Sequence, residues 1–289
     1  MNEKAMNASA MQTRTFGGDG PRITVVGLGG EGILRTHGKA EAAKAVIEEA
    51  LAQGISYFDS ARAYAGSQQY YGTIWGIRPD LRSGVFQASK SASRDRQGAL
   101  ADLEDTLAKM RIDRLDLWQI HDVRTETELR EISGPGGALE AFREAKASGR
   151  TRFIGVTGHH DPAVLARAVA EWPVDAVTMP VNPAEGALTG FLDTTLPMAK
   201  EKGLAVIGMK ILGQSHYIRP EGGLTAEILI RYALSQAIDV AIVGCSTPEE
   251  VRTLARVGRD FQPMAPEEQS ALVEAIRPHA GRLAFYRGM

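Results

Sequence analysis

Short, almost uninterrupted apolar runs recur along the chain at intervals of roughly thirty residues. Each run has the length of a strand rather than of a helix. Continuous rather than alternating apolar character is typical of parallel strands that are covered on both faces. The eight runs begin at Ile23, Ser56, Val85, Leu115, Phe153, Asp175, Leu204 and Val240. They predict eight parallel strands.

Amphipathic segments separate these runs. After the first run, a spacing of three and four residues marks one helix face, occupied by Ala43, Val46, Ile47, Ala50 and Leu51. Similar periodicity predicts helices over 98–110, 138–148, 163–171, 194–202, 225–235 and 249–257. Alternation of strand and helix favours an α/β fold of the (β/α)8 kind, a TIM barrel, over a doubly wound sheet.

The two ends of the chain lie outside this repeat. Residues 1–21 precede the first strand, and we expect them to form an extension or flap over the bottom of the barrel. Residues 262–289 include the amphipathic segment PEEQSALVEAIRP and predict an extra C-terminal helix and tail. Because nothing between them reads as a domain boundary, we predict a single barrel domain over 1–289.

The composition argues against several classes of protein, namely nucleic-acid-binding, disulfide-bonded, secreted and membrane-spanning proteins. The 33 Lys and Arg residues nearly balance 35 Asp and Glu residues, and no basic run predicts nucleic-acid binding. The single cysteine, Cys245, excludes an intramolecular disulfide and fits a reducing compartment. The N-terminus lacks the apolar centre of a signal peptide, and no apolar stretch is long enough to span a membrane. We therefore expect a cytoplasmic protein.

Four chemically active side chains fall where apolar runs end. Asp59 closes the second run, with Tyr64 five residues later, while Lys90 closes the third run and His121 the fourth. The carboxyl ends of the strands form the functional face of a (β/α)8 barrel. Singly, each residue has an ordinary structural role, as a turn cap, a packed ring or a solvated amine. Together they predict one catalytic site, in which a loop folds back over its strand end.

At these residues the chain resembles the aldo-keto reductase family. The matching segments are GISYFDSARAYAGSQQYYG from Gly54, SK at Ser89, DLWQIHD around His121 and RFIGV from Arg152, within a resemblance from about Ile23 to about Val257. It implies a (β/α)8 barrel that reduces aldehydes or ketones, which are small-molecule carbonyl substrates. It also implies a nicotinamide cofactor, usually NADPH, bound without a Rossmann domain.

The resemblance also implies roles for the four residues. Tyr64 would be the general acid, Asp59 and Lys90 would modulate it, and His121 would orient the carbonyl or share the proton. Hydride transfer to a carbonyl carbon leaves negative charge on oxygen, which a phenol can neutralise by donating its proton. A nearby ammonium stabilises the phenolate, so we expect Lys90, held by Asp59, to lower the pKa of Tyr64.

Residues that hold the cofactor are expected by the same resemblance. After RFIGV the family commonly has Ser, Asn and an aromatic residue, where this chain has Thr157, Gly158 and His159. The sixth strand lacks the family's glutamine and has Thr178 or Met179 near that place. Lys210 either pairs with a phosphate or is a solvated strand end. The other expected cofactor contacts are Gly30, Leu212, Gly213, Ser246, Thr247 and Glu250.

The choice between NADPH and NADH depends on the helix after the last strand. The helix N-terminus in GCSTPEEVRTL suits an anionic group. Glu250 would repel a 2′-phosphate unless it is occupied as the capping-box partner of Thr247, and Arg252 or Arg256 could compensate. We favour NADPH, with NADH as the alternative. No metal is expected, because Asp161, next to His159 and His160, has the pattern of a helix cap.

Two other functions remain open at this point. A regulatory or scaffold barrel could bind the cofactor without turnover, although such a protein needs no proton donor. A Schiff-base lyase could use Lys90 as its nucleophile, which would require a neutral amine that Asp59 opposes. The sequence leaves the physiological substrate, the reaction direction and the oligomeric state open.

Overall fold

Ten strands form a short hairpin and a closed barrel in this computed structural model, which describes residues 10–288. The hairpin pairs β1 (Thr13–Thr15) with β2 (Arg22–Thr24). The barrel strands are β3 (Val26–Gly32), β4 (Tyr57–Phe58), β5 (Phe86–Ser91), β6 (Leu115–Ile120), β7 (Thr151–Thr157), β8 (Ala176–Pro180), β9 (Ala205–Met209) and β10 (Val240–Cys245). All eight are parallel, and β10 pairs back to β3, so the predicted (β/α)8 fold is confirmed.

Helices lie between the barrel strands and after the last strand. They are α1 (Ala40–Ala52), α2 (Ser67–Trp75), α3 (Pro79–Ser83), α4 (Arg96–Met110), α5 (Glu126–Ser133), α6 (Ala138–Ala147), α7 (Pro162–Glu171), α8 (Pro183–Ala187), α9 (Leu196–Glu201), α10 (Ala226–Leu234), α11 (Pro248–Arg259), α12 (Pro266–Ile276) and α13 (Ala280–Leu283). The helices predicted from periodicity are confirmed. The sequence pattern did not predict α2, α3, α5, α8 or α13.

The first apolar run contributes to two strands instead of one. Ile23 lies in β2 of the hairpin, whereas the barrel strand begins at Val26. Phe16, at the turn of the hairpin, packs on Phe86 with ring centroids 4.7 Å apart. Because Phe86 begins its strand, this contact lies at the amino-terminal end of the barrel. The expected flap also includes residues 1–9, which lie outside the described residues.

Alternation along the strands separates two apolar layers. The barrel interior contains Tyr57, Phe86, Leu117, Ile207 and Ile242, whereas the intervening side chains pack between strands and helices. Trp118, for example, stacks on Phe142 of α6 at 3.7 Å and belongs to the outer layer. Alternation therefore decides which residue of each strand faces the cavity at its carboxyl end.

The C-terminal segment covers part of that end. Ile276 of α12 and Ala280 of α13 pack with Ala184 of α8, and the chain then returns to the barrel rim at Tyr286. Met289, in the predicted tail, lies outside the described residues. Within residues 10–288, none of the helices has the length and apolar character needed to cross a bilayer.

Candidate active site

A cavity of about 1560 Å³ opens at the carboxyl ends of the strands. Its wall includes all four predicted catalytic residues, Asp59, Tyr64, Lys90 and His121. They come from the ends of three consecutive strands, β4, β5 and β6, as the positions of the apolar runs predicted. The fold therefore brings together an acid, a phenol, an amine and an imidazole.

A buried ion pair forms the base of this group. The Lys90 ammonium donates to both carboxylate oxygens of Asp59, at 2.7 and 2.6 Å, and to the Ser60 carbonyl at 2.8 Å. Both side chains are only 2% exposed. Burial raises the pKa of Asp59 and lowers the pKa of Lys90, while their mutual attraction opposes both shifts. The three ammonium hydrogens thus have protein acceptors.

The Tyr64 ring lies against the end of the first barrel strand. A side chain at Gly30 would place its Cβ 2.7 Å from a Tyr64 ring carbon, so only glycine permits this close approach. The Lys90 ammonium lies 4.9 Å from the ring centroid, and the His121 ring meets it edge-on at 5.6 Å. Arg35, from the short 3₁₀ turn Ile33–Arg35, places its guanidinium 5.1 Å from the same centroid.

The pKa of Tyr64 moves in the direction opposite to that expected from the sequence. Burial and the charge of Asp59 raise the pKa well above its usual value of 10, while Arg35 opposes this shift. The ammonium of Lys90 lies near the ring, but its hydrogen bonds are directed to Asp59 and Ser60. Tyr64 is consequently a protonated hydrogen-bond donor at neutral pH.

His121 is held in its neutral form. Burial, together with the charge of Lys90, lowers its pKa from 6.5 to about 3. Because the unfolded chain takes up this proton first, stability from His121 is complete above pH 6.5 and falls progressively toward pH 3.

We therefore expect a pH-dependent difference between the wild-type protein and the His121→Gln variant. After allowance for the partial exposure of His121, the stability advantage of the wild type should shrink by about 1 kcal/mol per pH unit below 6.5. Urea unfolding of both proteins at pH 7.0, 6.0 and 5.0 measures it. A difference that is constant over this range would show that His121 titrates normally.

Most of the predicted cofactor residues line the same cavity. They are Gly30, Thr157, His159, Lys210, Leu212, Gly213, Ser246, Thr247 and Glu250. Two predicted positions need correction. Met179 alternates outward from β8 into the layer between strands and helices, where it is fully buried. Gly158 is not part of the cavity wall, and a Cβ there would meet Leu165 of α7 and the Val123 carbonyl.

Thr157 and His159 hold the loop that follows His121. The Thr157 hydroxyl accepts a hydrogen bond from the backbone of Asp122 at 2.8 Å. His159 donates from Nδ1 to the Tyr286 carbonyl, at 3.1 Å, and its Nε2 lies 3.3 Å from Asp122 Oδ1. Asp122 itself has the unusual φ of 55°. These contacts fix the backbone beside the His121 imidazole.

Contacts at the start of α11 show whether Glu250 is engaged or free to face a cofactor phosphate. Glu250 accepts from the Ser246 backbone at 2.6 Å, and the Thr247 hydroxyl accepts from the Glu250 backbone at 3.3 Å. Glu250 is thus occupied as a capping partner. Arg252 pairs with Glu49, at 3.0 Å, so this arginine is also engaged.

Lys210 is the cation of the cavity wall at the end of β9. Its Nζ lies 3.6 Å from Glu31, its side chain is 13% exposed, and its φ is 56°. An ammonium in this partly buried position could pair with a phosphate by leaving Glu31. It is therefore more confined than the solvated strand end that the sequence also allowed.

Several residues of the cavity wall were missed by sequence reasoning. Arg35 and Tyr286 give no periodic or motif signal, because their position depends on how distant segments pack. Asp122 had a signal, since it directly follows His121 in the segment DLWQIHD. Among the described residues there is no cluster of three or more side chains suited to hold a metal ion.

Comparisons with known proteins agree with this geometry. The family model described as Aldo/keto reductase family matches residues 25–221. L-galactose dehydrogenase of Arabidopsis thaliana is 23% identical over 96% of this chain and 98% of that protein. D-galacturonate reductase of Fragaria ananassa is 26% identical over 78% of each protein.

Solved structures share the fold. An aldo-keto reductase from Klebsiella pneumoniae in complex with NADPH superposes with a TM-score of 0.75 at 20% identity, covering 93% of this chain and 96% of that one. The holo form of an aldo-keto reductase from Bacillus halodurans gives 0.73 at 19% identity, covering 95% and 96%. At such identities the likeness shows the barrel, whereas the family model, which spans more than half of the chain, shows that this protein belongs to the aldo/keto reductase family of NAD(P)H-dependent oxidoreductases.

Proposed function

We propose that this protein reduces an aldehyde or ketone carbonyl to an alcohol, with Tyr64 as the general acid. The observation that carries the proposal is the buried Asp59–Lys90 pair next to the Tyr64 ring, at the wall of a large cavity. A buried ion pair contributes little to net stability compared with apolar residues of similar size. Its position beside a protonated phenol supports a catalytic role.

A nicotinamide cofactor would supply the hydride. The cavity wall includes Tyr64, Lys210 and, at the N-terminus of α11, Ser246 and Thr247. A helix N-terminus and a partly buried ammonium are suited to the anionic groups of a dinucleotide. NADPH is our preferred cofactor, supported by the Klebsiella pneumoniae aldo-keto reductase structure, which is a complex with NADPH.

Within this site each residue would have a separate task. Tyr64 donates its proton to the carbonyl oxygen as negative charge develops there. Neutral His121, whose ring is edge-on to Tyr64, donates a hydrogen bond to that oxygen and orients the carbonyl. The Asp59–Lys90 ion pair, whose charges cancel, would support the phenol and keep the Tyr64 ring in position relative to the substrate.

The carbonyl substrate is expected to be polyhydroxylated. The cavity wall carries the charged side chains Glu31, Arg35, Arg94 and Arg124, and Arg35 lies over the Tyr64 ring. Charged donors and acceptors suit the hydroxyl groups of a sugar better than an aliphatic chain. Relatives named for L-galactose and D-galacturonate support the same class.

The Schiff-base alternative has little support in this geometry. All three hydrogens of the Lys90 ammonium are bonded to Asp59 and Ser60, which favours the charged, non-nucleophilic amine. A regulatory barrel that binds the cofactor without turnover remains the second candidate, because the cavity would serve binding equally well.

A cofactor titration followed by a turnover assay tests these candidates. We expect NADPH to quench tryptophan fluorescence on binding and to be oxidised when a hydroxylated aldehyde such as D-glyceraldehyde is added, faster than with hexanal. NADH is titrated in parallel to test the preferred cofactor. Binding without turnover would favour the regulatory candidate, and failure of both cofactors to bind would contradict the proposed function.

A further inference from the structure

Residues 285–288, which we name the rim segment, contribute two side chains to the wall of the cavity. Phe285 and Tyr286 line the cavity together with Tyr64 and His121. Phe285 is 41% exposed, whereas Tyr286 is 6% exposed. The rim segment thus has one side chain open to the cavity and one anchored in the protein.

The anchor is a buried carboxylate that the proposed mechanism does not use. Glu185, on α8, has a fully buried side chain. Its Oε1 accepts from the Tyr286 hydroxyl at 2.8 Å and from Arg287 Nε at 3.2 Å, and its Oε2 is paired with the Arg287 guanidinium. One carboxylate therefore holds two successive residues of the rim segment.

Further contacts fix the same segment from neighbouring strand ends. The Asn182 side chain donates to the Tyr286 hydroxyl at 2.9 Å. The Tyr286 carbonyl accepts from His159, and the Gly288 backbone donates to the His160 carbonyl at 3.0 Å. The rim segment is thus tied to the ends of β7 and β8, close to the loop that carries His121.

We propose that Glu185 is a positioning residue, which acts through Tyr286 and Arg287 to hold the rim segment as a wall of the carbonyl-substrate site. Isolated burial of a carboxylate is strongly unfavourable, so Glu185 requires its partners in place. Loss of Arg287 therefore releases the wall rather than leaving it in the same position. This inference rests on the proposed carbonyl reduction at Tyr64.

The principal test is Arg287→Met, with Arg287→Lys as the conservative variant. We expect KM for the carbonyl to rise on the order of tenfold or more in Arg287→Met, because a displaced wall misplaces the substrate. The Kd for NADPH should change far less, and Arg287→Lys should recover part of the KM. Arg277→Met is the matched control, since Arg277 forms an exposed pair with Glu274 on the same C-terminal segment.

Two further measurements keep the test decisive. Phe285→Ala removes the wall side chain without touching the anchor and should also raise KM, even if Arg287→Met fails to fold. Hydrogen exchange of the peptide that contains Gly288 should be faster in Arg287→Met, a readout that needs no turnover.

The outcomes separate the inference from the proposed function. A wild-type protein that oxidises no NADPH contradicts the proposed function, whatever the variants do. If the wild type is active, unchanged KM in both Arg287→Met and Phe285→Ala overturns the positioning role, as does equal KM in Arg287→Met and Arg277→Met. Unchanged exchange at Gly288 would also overturn it, because the anchor would then not hold the segment.

Discussion

Replacing Tyr64 with phenylalanine is expected to lower kcat for carbonyl reduction by about 10²- to 10⁴-fold, the usual contribution of a positioned general acid. The phenol is held as a protonated donor by burial, whereas neutral His121 offers the developing oxyanion a hydrogen bond from a weakly acidic N–H. The Tyr64 ring contacts would remain. Steady-state kinetics with saturating NADPH measure the loss.

Cofactor affinity distinguishes acid catalysis from binding. Because only a hydroxyl is removed, Kd for NADPH should stay within about twofold, a difference well below 1.4 kcal/mol. Tyr70→Phe is the matched control, since that hydroxyl bonds the Thr36 carbonyl at 2.7 Å and lies outside the cavity wall. Equal losses of turnover and cofactor binding in Tyr64→Phe would contradict a role as acid.

The barrel and the central residues of the site could be predicted from the local pattern of apolar and polar residues. Parallel strands buried on both faces must be continuously apolar, so a polar residue that ends such a run is visible in sequence. Asp59, Lys90 and His121 are all of this kind. Tyr64 was found through its spacing from Asp59 within a family motif, since neither helix nor strand periodicity links the two.

Side-chain direction and long-range packing were harder to predict from the sequence. The inward or outward position of Met179 depends on the register of β8, and a shift of one residue reverses it. Glu185 and Tyr286 are 101 residues apart, and their contact arises only when the C-terminal helices pack on α8. The predicted direction of the Tyr64 pKa shift was wrong because burial and the charge of Asp59 raise this pKa, and the sequence does not show how deeply the phenol is buried.

The Asp59–Lys90 pair should show strong coupling in stability. Lys90→Met leaves the buried Asp59 carboxylate without its cation and should lower the free energy of unfolding by about 3–5 kcal/mol. Asp59→Asn leaves the buried ammonium with neutral acceptors only, an amide oxygen and the Ser60 carbonyl, and should be similarly destabilising. Both single variants should lose most of their activity, because the support beneath Tyr64 is disturbed.

The double variant separates stability from catalysis. Combining Asp59→Asn with Lys90→Met removes both buried charges, so the unfolding free energy should recover by several kcal/mol relative to either single variant. Activity should not recover, since the ion pair that supports the phenol is absent. Urea unfolding and NADPH oxidation on all four proteins complete the cycle. Additive stability losses would mean that the two charges are not energetically coupled, and recovered activity would mean that the pair serves folding alone.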